Sequence, residues 1–196
     1  MSHAFADIAF TPAVREAQAR DGSRAQYARA IETAGPVHHA ALGPDEAAFI
    51  QAQRSFYMAT VSETGWPYVQ HRGGAPGFLR VLDAKTLSFV DVPGNRQFIS
   101  VGNLATNDRV ALILVDYQHR QRMKLLGRLS LRDMPGPGRG GREMVVHVEA
   151  FDWNCPQHIP VRFEAEDVQR ALDERDGRIA RLEAEAAHLR ALPSRE

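Results

Sequence analysis

The polar residues best suited to chemistry lie between positions 70 and 128. Gln70-His71-Arg72 runs into Gly73-Gly74, a pair that removes side chains where a ligand or another backbone can approach closely. Asn95-Arg96-Gln97 follows Pro93-Gly94 at an expected helix start. A helix N-terminus offers unpaired amides and a positive dipole end, and a neighbouring guanidinium adds a two-pronged donor for phosphate. Farther on, Arg120, Arg122 and Lys124 alternate with Gln121, Met123 and Leu125, which puts the cations on one face of a strand. That face calls for an anion or for water, so a solvated sheet surface fits the pattern as well as a phosphate site does.

Other candidates carry less. His38-His39 is an adjacent pair on a loop with no third ligand in the sequence nearby. Cys155 and His158 have a zinc-like spacing but no second pair, so Cys155 reads as an inert core thiol. One Arg139-Gly-Gly-Arg142 segment in a neutral chain reads as a hairpin tip rather than an RNA contact. No Gly-x-Ser-x-Gly elbow marks a serine hydrolase, and Pro93-Gly94-Asn95 lacks the Gly-Lys-Ser/Thr of a Walker loop. No metal site and no catalytic acid or base is assigned.

The elements that must position these residues follow from periodicity and punctuation. Residues 1–44 read as a helical extension: Thr11 caps a helix opened by Pro12, and a second helix covers Arg24 to Thr33 behind Ser23. A short helix from Pro44 to about Ala52 opens the central domain, residues 45–163, in which Ser55 to Ala150 read as β. Phe56–Val61 and Tyr68–Arg72 form one hairpin, and Phe78–Leu82 with Thr86–Asp91 a second. A helix from Pro93-Gly94-Asn95 carries Phe98, Val101 and Leu104. Arg109–Asp116, Arg122–Leu131 and Glu143–Ala150 follow as strands, the last two joined by the Pro/Gly-rich loop 135–142. Short strands interrupted by one helix predict a small antiparallel barrel. Residues 164–196 hold a long amphipathic helix, with Val168, Leu172, Arg175, Ile179, Leu182, Ala186 and Leu189 spaced alternately by four and three.

Composition sets outer limits. The chain has 196 residues, 44% hydrophobic, with 24 Lys+Arg against 24 Asp+Glu. This suits one domain with appendages and excludes a disordered chain. A single Cys excludes a disulfide scaffold and fits a reducing, cytoplasmic setting. Neutrality excludes a general binder of nucleic acid or acidic membrane. No signal peptide or membrane-spanning run is expected, since the longest apolar stretch is Val110–Val115. Charge is nonetheless uneven. Residues 70–128 hold nine Arg/Lys against four Asp/Glu, whereas 164–196 hold six against nine.

Taken in order, Ala59-Thr-Val-Ser-Glu-Thr-Gly-Trp-Pro-Tyr68, Phe89 through Gln97, and Arg120-Gln-Arg-Met-Lys-Leu-Leu-Gly127 resemble the pyridoxamine 5'-phosphate oxidase-like, FMN-binding split-barrel family. The resemblance covers roughly half the chain, and it implies a mainly β fold with flanking helices: a six-stranded antiparallel split barrel. It further implies a homodimer with FMN at the subunit interface. Gln70 falls where the oxidases use an arginine, and Arg72, two residues on and on the same face, is expected to take over the phosphate, beside His71. Val90 and Asp91 would line the isoalloxazine edge. Asn95, Arg96 and Gln97 replace Ser-Arg-Lys at the phosphate-binding start. Arg122 stands for a flavin-contacting glutamine, where positive charge would stabilise the anionic reduced ring, and Lys124 would assist the phosphate.

The oxidases proper carry a C-terminal Arg-x-His pair that grips pyridoxal phosphate. Here the region reads Phe151-Asp-Trp-Asn-Cys-Pro-Gln-His158, so the resemblance does not extend to vitamin B6 oxidation. Trp153 and Gln157 would border the flavin of the other subunit, or Trp153 would pack in the core. The implied function is an FMN-dependent oxidoreductase passing hydride between a small molecule or NAD(P)H and the flavin. The alternatives are a flavin or haem carrier or sensor without turnover, with His71, His119 and His158 as haem candidates, and a deazaflavin-dependent reductase.

Overall fold

The computed structural model describes residues 3–33, 39–92, 94–135, 141–154 and 156–191. His38, Pro93, Cys155 and residues 136–140, including Arg139, lie outside the described residues, and with them parts of the expectations above. The N-terminal helices are α1 (Ala4–Ala9), α2 (Pro12–Asp21), α3 (Arg24–Thr33) and α4 (Pro44–Ala52). Thr11 Oγ1 accepts the Val14 amide at 3.3 Å, Pro12 opens α2, and Gly22 closes it with φ at 82°. The Glu46 carboxylate accepts the Gly43 amide at 2.9 Å, which starts α4 one residue before Pro44.

The β elements are β1 (Ser55–Val61), β2 (Pro67–Gly73), β3 (Arg80–Asp83), β4 (Thr86–Val90), β5 (Arg109–Asp116), β6 (Gln121–Met134) and β7 (Gly141–Asn154). A short helix, α5 (Ile99–Asn103), lies between β4 and β5, and α6 (Ala165–Ala191) follows β7. All pairings are antiparallel, in the order β2-β1-β5-β6-β7-β4-β3.

The six-stranded barrel expected from the family resemblance is therefore corrected to a seven-stranded sheet that is not closed by a ladder. Arg80–Val81 and Asp83 pair with β4 as a full edge strand, and the other edge is β2. The sheet nonetheless curls enough to bring its edges near each other. The Phe78 ring stacks 5.7 Å from Phe56 of β1, and Arg72 of β2 reaches Asp91 beyond β4.

Period-2 alternation decides what lies inside. Phe56 and Met58 of β1, Val110, Leu112 and Leu114 of β5, and Met123 and Leu125 of β6 are buried together with Leu87 and Phe89 of β4. Each such side chain contributes about 1.5–3 kcal/mol on burial, enough to set the register of every strand. One bulge changes parity. Leu126 pairs with Ala150 but Gly127 with Val148, so Glu149 is the extra residue. Met144, Val146 and Val148 point inward before it, Phe151 and Trp153 after it. The N-terminal segment is not merely appended: Phe5 and Ala6 of α1 are buried, and Leu42 belongs to the core. Among the described residues no helix is long and apolar enough to cross a membrane.

Candidate functional site

The inward parity of β2 carries Gln70 and Arg72 to the gap between the sheet edges. Arg72 donates to Asp91 Oδ1 at 3.2 Å, and Arg142, at the start of β7, donates to Asp91 Oδ2 at 2.9 Å. The Arg72 and Asp91 side chains are only 14% and 10% exposed, so this pair is largely dry. Two guanidiniums share one carboxylate, which leaves an excess positive charge. The Arg72 guanidinium also lies 5.7 Å from the Phe89 ring centroid, and its buried Nε has no hydrogen-bond partner among the described residues. An orphaned buried donor of this kind calls for an explanation, and an anion or a water would satisfy it. Beside this triad Val90, Val92, Phe98 and Ile99 are exposed, and Arg142 covers the Phe98 ring at 5.2 Å.

The segment 94–98 departs from expectation. α5 does not start at Asn95 but at Ile99, and it is five residues long. Arg96 and Phe98 have φ of 60° and 54°, a left-handed conformation that breaks the helical hydrogen-bond run before Ile99. Asn95, Arg96 and Gln97 therefore lie on an exposed loop, with Asn95 Oδ1 accepting the Gln97 amide at 3.2 Å. Any anion binding there rests on side chains and loop amides rather than on a helix dipole. α5 is anchored at the sheet: Ser100 Oγ donates to Gln70 Oε1 at 3.0 Å, and Asn103 Nδ2 to the buried Thr60 Oγ1 at 2.8 Å. Gln70 is thus occupied in positioning α5. The close approach at Gly73-Gly74 is internal: the Phe78 ring fills the space a Gly74 side chain would need, and the Arg54 carbonyl accepts the Gly74 amide at 2.9 Å.

Arg122 and Lys124 stand on the opposite, outer face of the sheet. Lys124 Nζ is 3.2 Å from Asp152 Oδ2 and 4.7 Å from the Phe5 ring of α1. Arg120 does not join that face. It sits in the β5–β6 turn with φ at 56°, and its guanidinium donates to the Pro156 carbonyl at 3.2 Å. Arg122 borders a cleft of about 280 Å³ with Tyr57, Ile113, Val115, Tyr117 and His158. Its buried Nε and the buried Oδ1 of Asn154, its neighbour across the ladder, have no partners among the described residues. His71 is exposed on β2, 5.5 Å from the Tyr57 ring. Gln157 is exposed, after the end of β7.

Trp153 packs inward. Its ring meets Phe49 of α4 edge-on at 4.7 Å, and its Nε1 donates to Glu46 Oε1 at 3.0 Å. Burial pushes the Glu46 carboxyl up, but the Trp153 indole, the Gly43 amide, its own amide and the charge of His39 together outweigh that and hold it below its ordinary value. In a single chain, then, Gln70, Arg72, Asp91 and the 94–98 loop come together. Arg122 with Lys124 forms a separate face, and Trp153 belongs to the β7–α4 packing.

Two groupings were invisible in the sequence. Arg142 reads there as a loop-tip residue, but β7 starts at Gly141 and carries it to Asp91. His3, His39 and Asp152 offer ligand atoms within 4.8 Å of one another. The His3 and His39 rings stack at 4.3 Å and 18°, so their in-plane lone pairs run side by side rather than converging. Residues so far apart in the chain leave no spacing signal.

Several solved structures resemble the fold. HupZ from Group A Streptococcus is 16% identical with a TM-score of 0.46, over 62% of this chain and 99% of that one. A putative pyridoxamine 5'-phosphate oxidase from Lactobacillus delbrueckii is 16% identical with a TM-score of 0.46, over 57% and 93%. HutZ, the haem storage protein of Vibrio cholerae, is 13% identical with a TM-score of 0.42, over 57% and 93%. No curated protein matches the chain. Residues 42–138, from two residues before α4 to beyond the end of β6, match the model of the pyridoxamine 5'-phosphate oxidase family, and by that segment the chain belongs to the pyridoxamine 5'-phosphate oxidase-like family.

Proposed function

We propose that this chain is an FMN-binding flavoprotein acting as an oxidoreductase on a small molecule or NAD(P)H. It would work in the cytoplasm as a homodimer with the flavin at the subunit interface. The observation that carries this reading is the gap between β2 and β4. An Arg72–Asp91–Arg142 triad with excess positive charge and an orphaned Arg72 Nε adjoins the exposed Val90, Val92 and Phe98. FMN combines a phosphate with an apolar tricyclic ring, and these two surfaces suit its two ends. Arg96, Asn95 and Gln97, on the adjoining loop, would complete the phosphate contacts.

Arg122 and Lys124 lie on the other sheet face, so in this reading they would serve a flavin held with a second copy. Bound FMN would supply hydride acceptance and donation, and the chain's residues would bind and orient it. Arg72 and Arg96 would hold the phosphate. Arg122, whose Nε has no partner among the described residues, would offer a positive donor to the ring edge. The departure from the Arg-x-His pair argues against vitamin B6 oxidation.

The test is the absorption spectrum of the purified protein, followed by flavin titration. A yellow protein that bleaches with NAD(P)H supports the oxidoreductase, and FMN binding without bleaching supports a carrier. A Soret band overturns FMN in favour of haem, and extracted deazaflavin overturns it in favour of that cofactor. Arg96→Ala should weaken FMN binding without changing the melting temperature. Unchanged titration would remove the 94–98 loop from the site.

A further inference from the structure

α6 is a 27-residue helix, about 40 Å long, that touches the rest of the described chain through little more than the Arg54–Glu166 ion pair at 3.3 Å. Its seam residues Val168, Leu172, Ile179, Leu182 and Leu189 are all exposed. The seam runs for about three heptads, the length at which such a pattern begins to specify a coiled coil. With Leu172, Ile179 and Ala186 at a, and Val168, Arg175, Leu182 and Leu189 at d, the flanking positions carry a charge code. The g positions include Arg178 and Glu185, and the e positions Asp176, Glu183 and Arg190.

In a parallel, in-register pair, each g residue faces the e residue five positions on in the other helix. Arg178 then meets Glu183 of the partner, and Glu185 meets Arg190 of the partner. Symmetry doubles both, and no like charges meet at these flanks. An antiparallel pair with Ile179 opposite Leu182 keeps Arg178 against Glu185 but sets Asp176 against Glu183. Shifting that pair by one heptad sets Arg178 against itself.

The like-charged Arg175 layer is the cost of the parallel form, and it has a local remedy. The Arg175 guanidinium already leans out of the seam onto Asp176 at 2.8 Å. Gly177 falls at f, on the side away from the partner, where its missing side chain costs the seam nothing.

We propose that α6 is a dimerisation helix that pairs with α6 of a second copy of this chain as a parallel, in-register coiled coil. It is an interface distinct from the barrel contacts that would hold a flavin, and the proposal does not rest on the flavin reading.

The experiment uses the full-length chain with Cys155→Ser, adding Ala186→Cys at an a position and diamide as the oxidant. The parallel pair brings the two introduced thiols face to face, so a covalent dimer should form. An antiparallel pair, or α6 folded onto its own barrel, keeps them apart. Arg178→Glu should weaken association about tenfold, because it turns both symmetric attractive pairs repulsive. Adding Glu183→Arg should restore the crosslink.

Failure to crosslink in a protein with unchanged circular dichroism overturns the proposal, as does rescue by Glu185→Arg in place of Glu183→Arg, which would mark an antiparallel pair. A dimeric mass by light scattering without the crosslink would remove the coiled coil while leaving the flavin-interface dimer standing. A monomeric mass would remove both.

Discussion

Gly127 lies in the middle of β6, between Val110 of β5 and Val148 of β7, at the step where the β6–β7 register shifts. A Cβ placed there would sit against the His147 carbonyl oxygen closer than the 3.0 Å that real Cβ contacts essentially never breach, and 3.1 Å from Val146 Cγ1. The obstacle is backbone in the central part of the sheet, so no rotamer change can relieve it. Gly127→Ala must push β6 and β7 apart or distort the bulge. Overpacking of this kind costs about 1–3 kcal/mol. Each ladder hydrogen bond stretched beyond use adds about 1 kcal/mol. A loss of about 3 kcal/mol is expected, which for a chain of this size lowers the melting temperature by about 6–12 °C.

Gly177→Ala is the matched control. Nothing among the described residues lies within 4 Å of its added Cβ, and it sits inside exposed α6. There the same substitution should raise helix stability by about 1 kcal/mol. Urea denaturation followed by near- and far-ultraviolet circular dichroism reads both. A Gly127→Ala protein within 0.5 kcal/mol of wild type, or a Gly177→Ala protein with lower helicity, would refute the packing of β6 on β7 or the exposure of α6.

Further outcomes follow from the polar contacts. Asp91→Asn leaves Arg72 and Arg142 facing each other with no carboxylate between them, so a loss of about 3 kcal/mol is expected in urea melts. The freed charge should at the same time tighten inorganic phosphate or FMN binding in a titration. A stability unchanged by this substitution would show that the triad is not dry. Glu46 has a folded-state pKa held below its unfolded value, so its contribution is full above about pH 4.5 and vanishes as pH falls through the lowered value. Glu46→Gln should thus melt earlier than wild type at pH 7, with the two curves converging as pH falls below that lowered value. A gap that persists at acid pH would refute the contact's ionic character. Asn103→Ala removes the donor to buried Thr60 Oγ1 and should cost about 1–3 kcal/mol, read by chemical denaturation, with Thr60→Val plus Asn103→Ala less than additive.

β-rich runs bounded by turn residues placed β1, β2, β4 and β5 nearly to the residue, and a period of two with one buried face then fixes the register that hides Phe56, Met58, Leu112 and Leu114. Caps did the same for α2 and α4, and the four-three spacing for α6, since these signals act within a few residues of the chain. The segment motifs between 59 and 127 also carried the family, because they preserve order and spacing along one stretch. The start of α5 was not readable in this way. Whether residues 95–98 continue a helix depends on left-handed torsions at Arg96 and Phe98, and on the anchoring of Ser100 by Gln70 thirty residues earlier.

Charge partners were decided entirely by packing. Arg72 and Lys124 read alike as anion ligands, yet the curl of the sheet brought Asp91 and Arg142 to one, and α1 with Asp152 to the other. Periodicity assigns a side chain to a face, a property of its own strand. Which charge waits on that face depends on elements tens of residues away in the chain, and only the folded sheet brings them there.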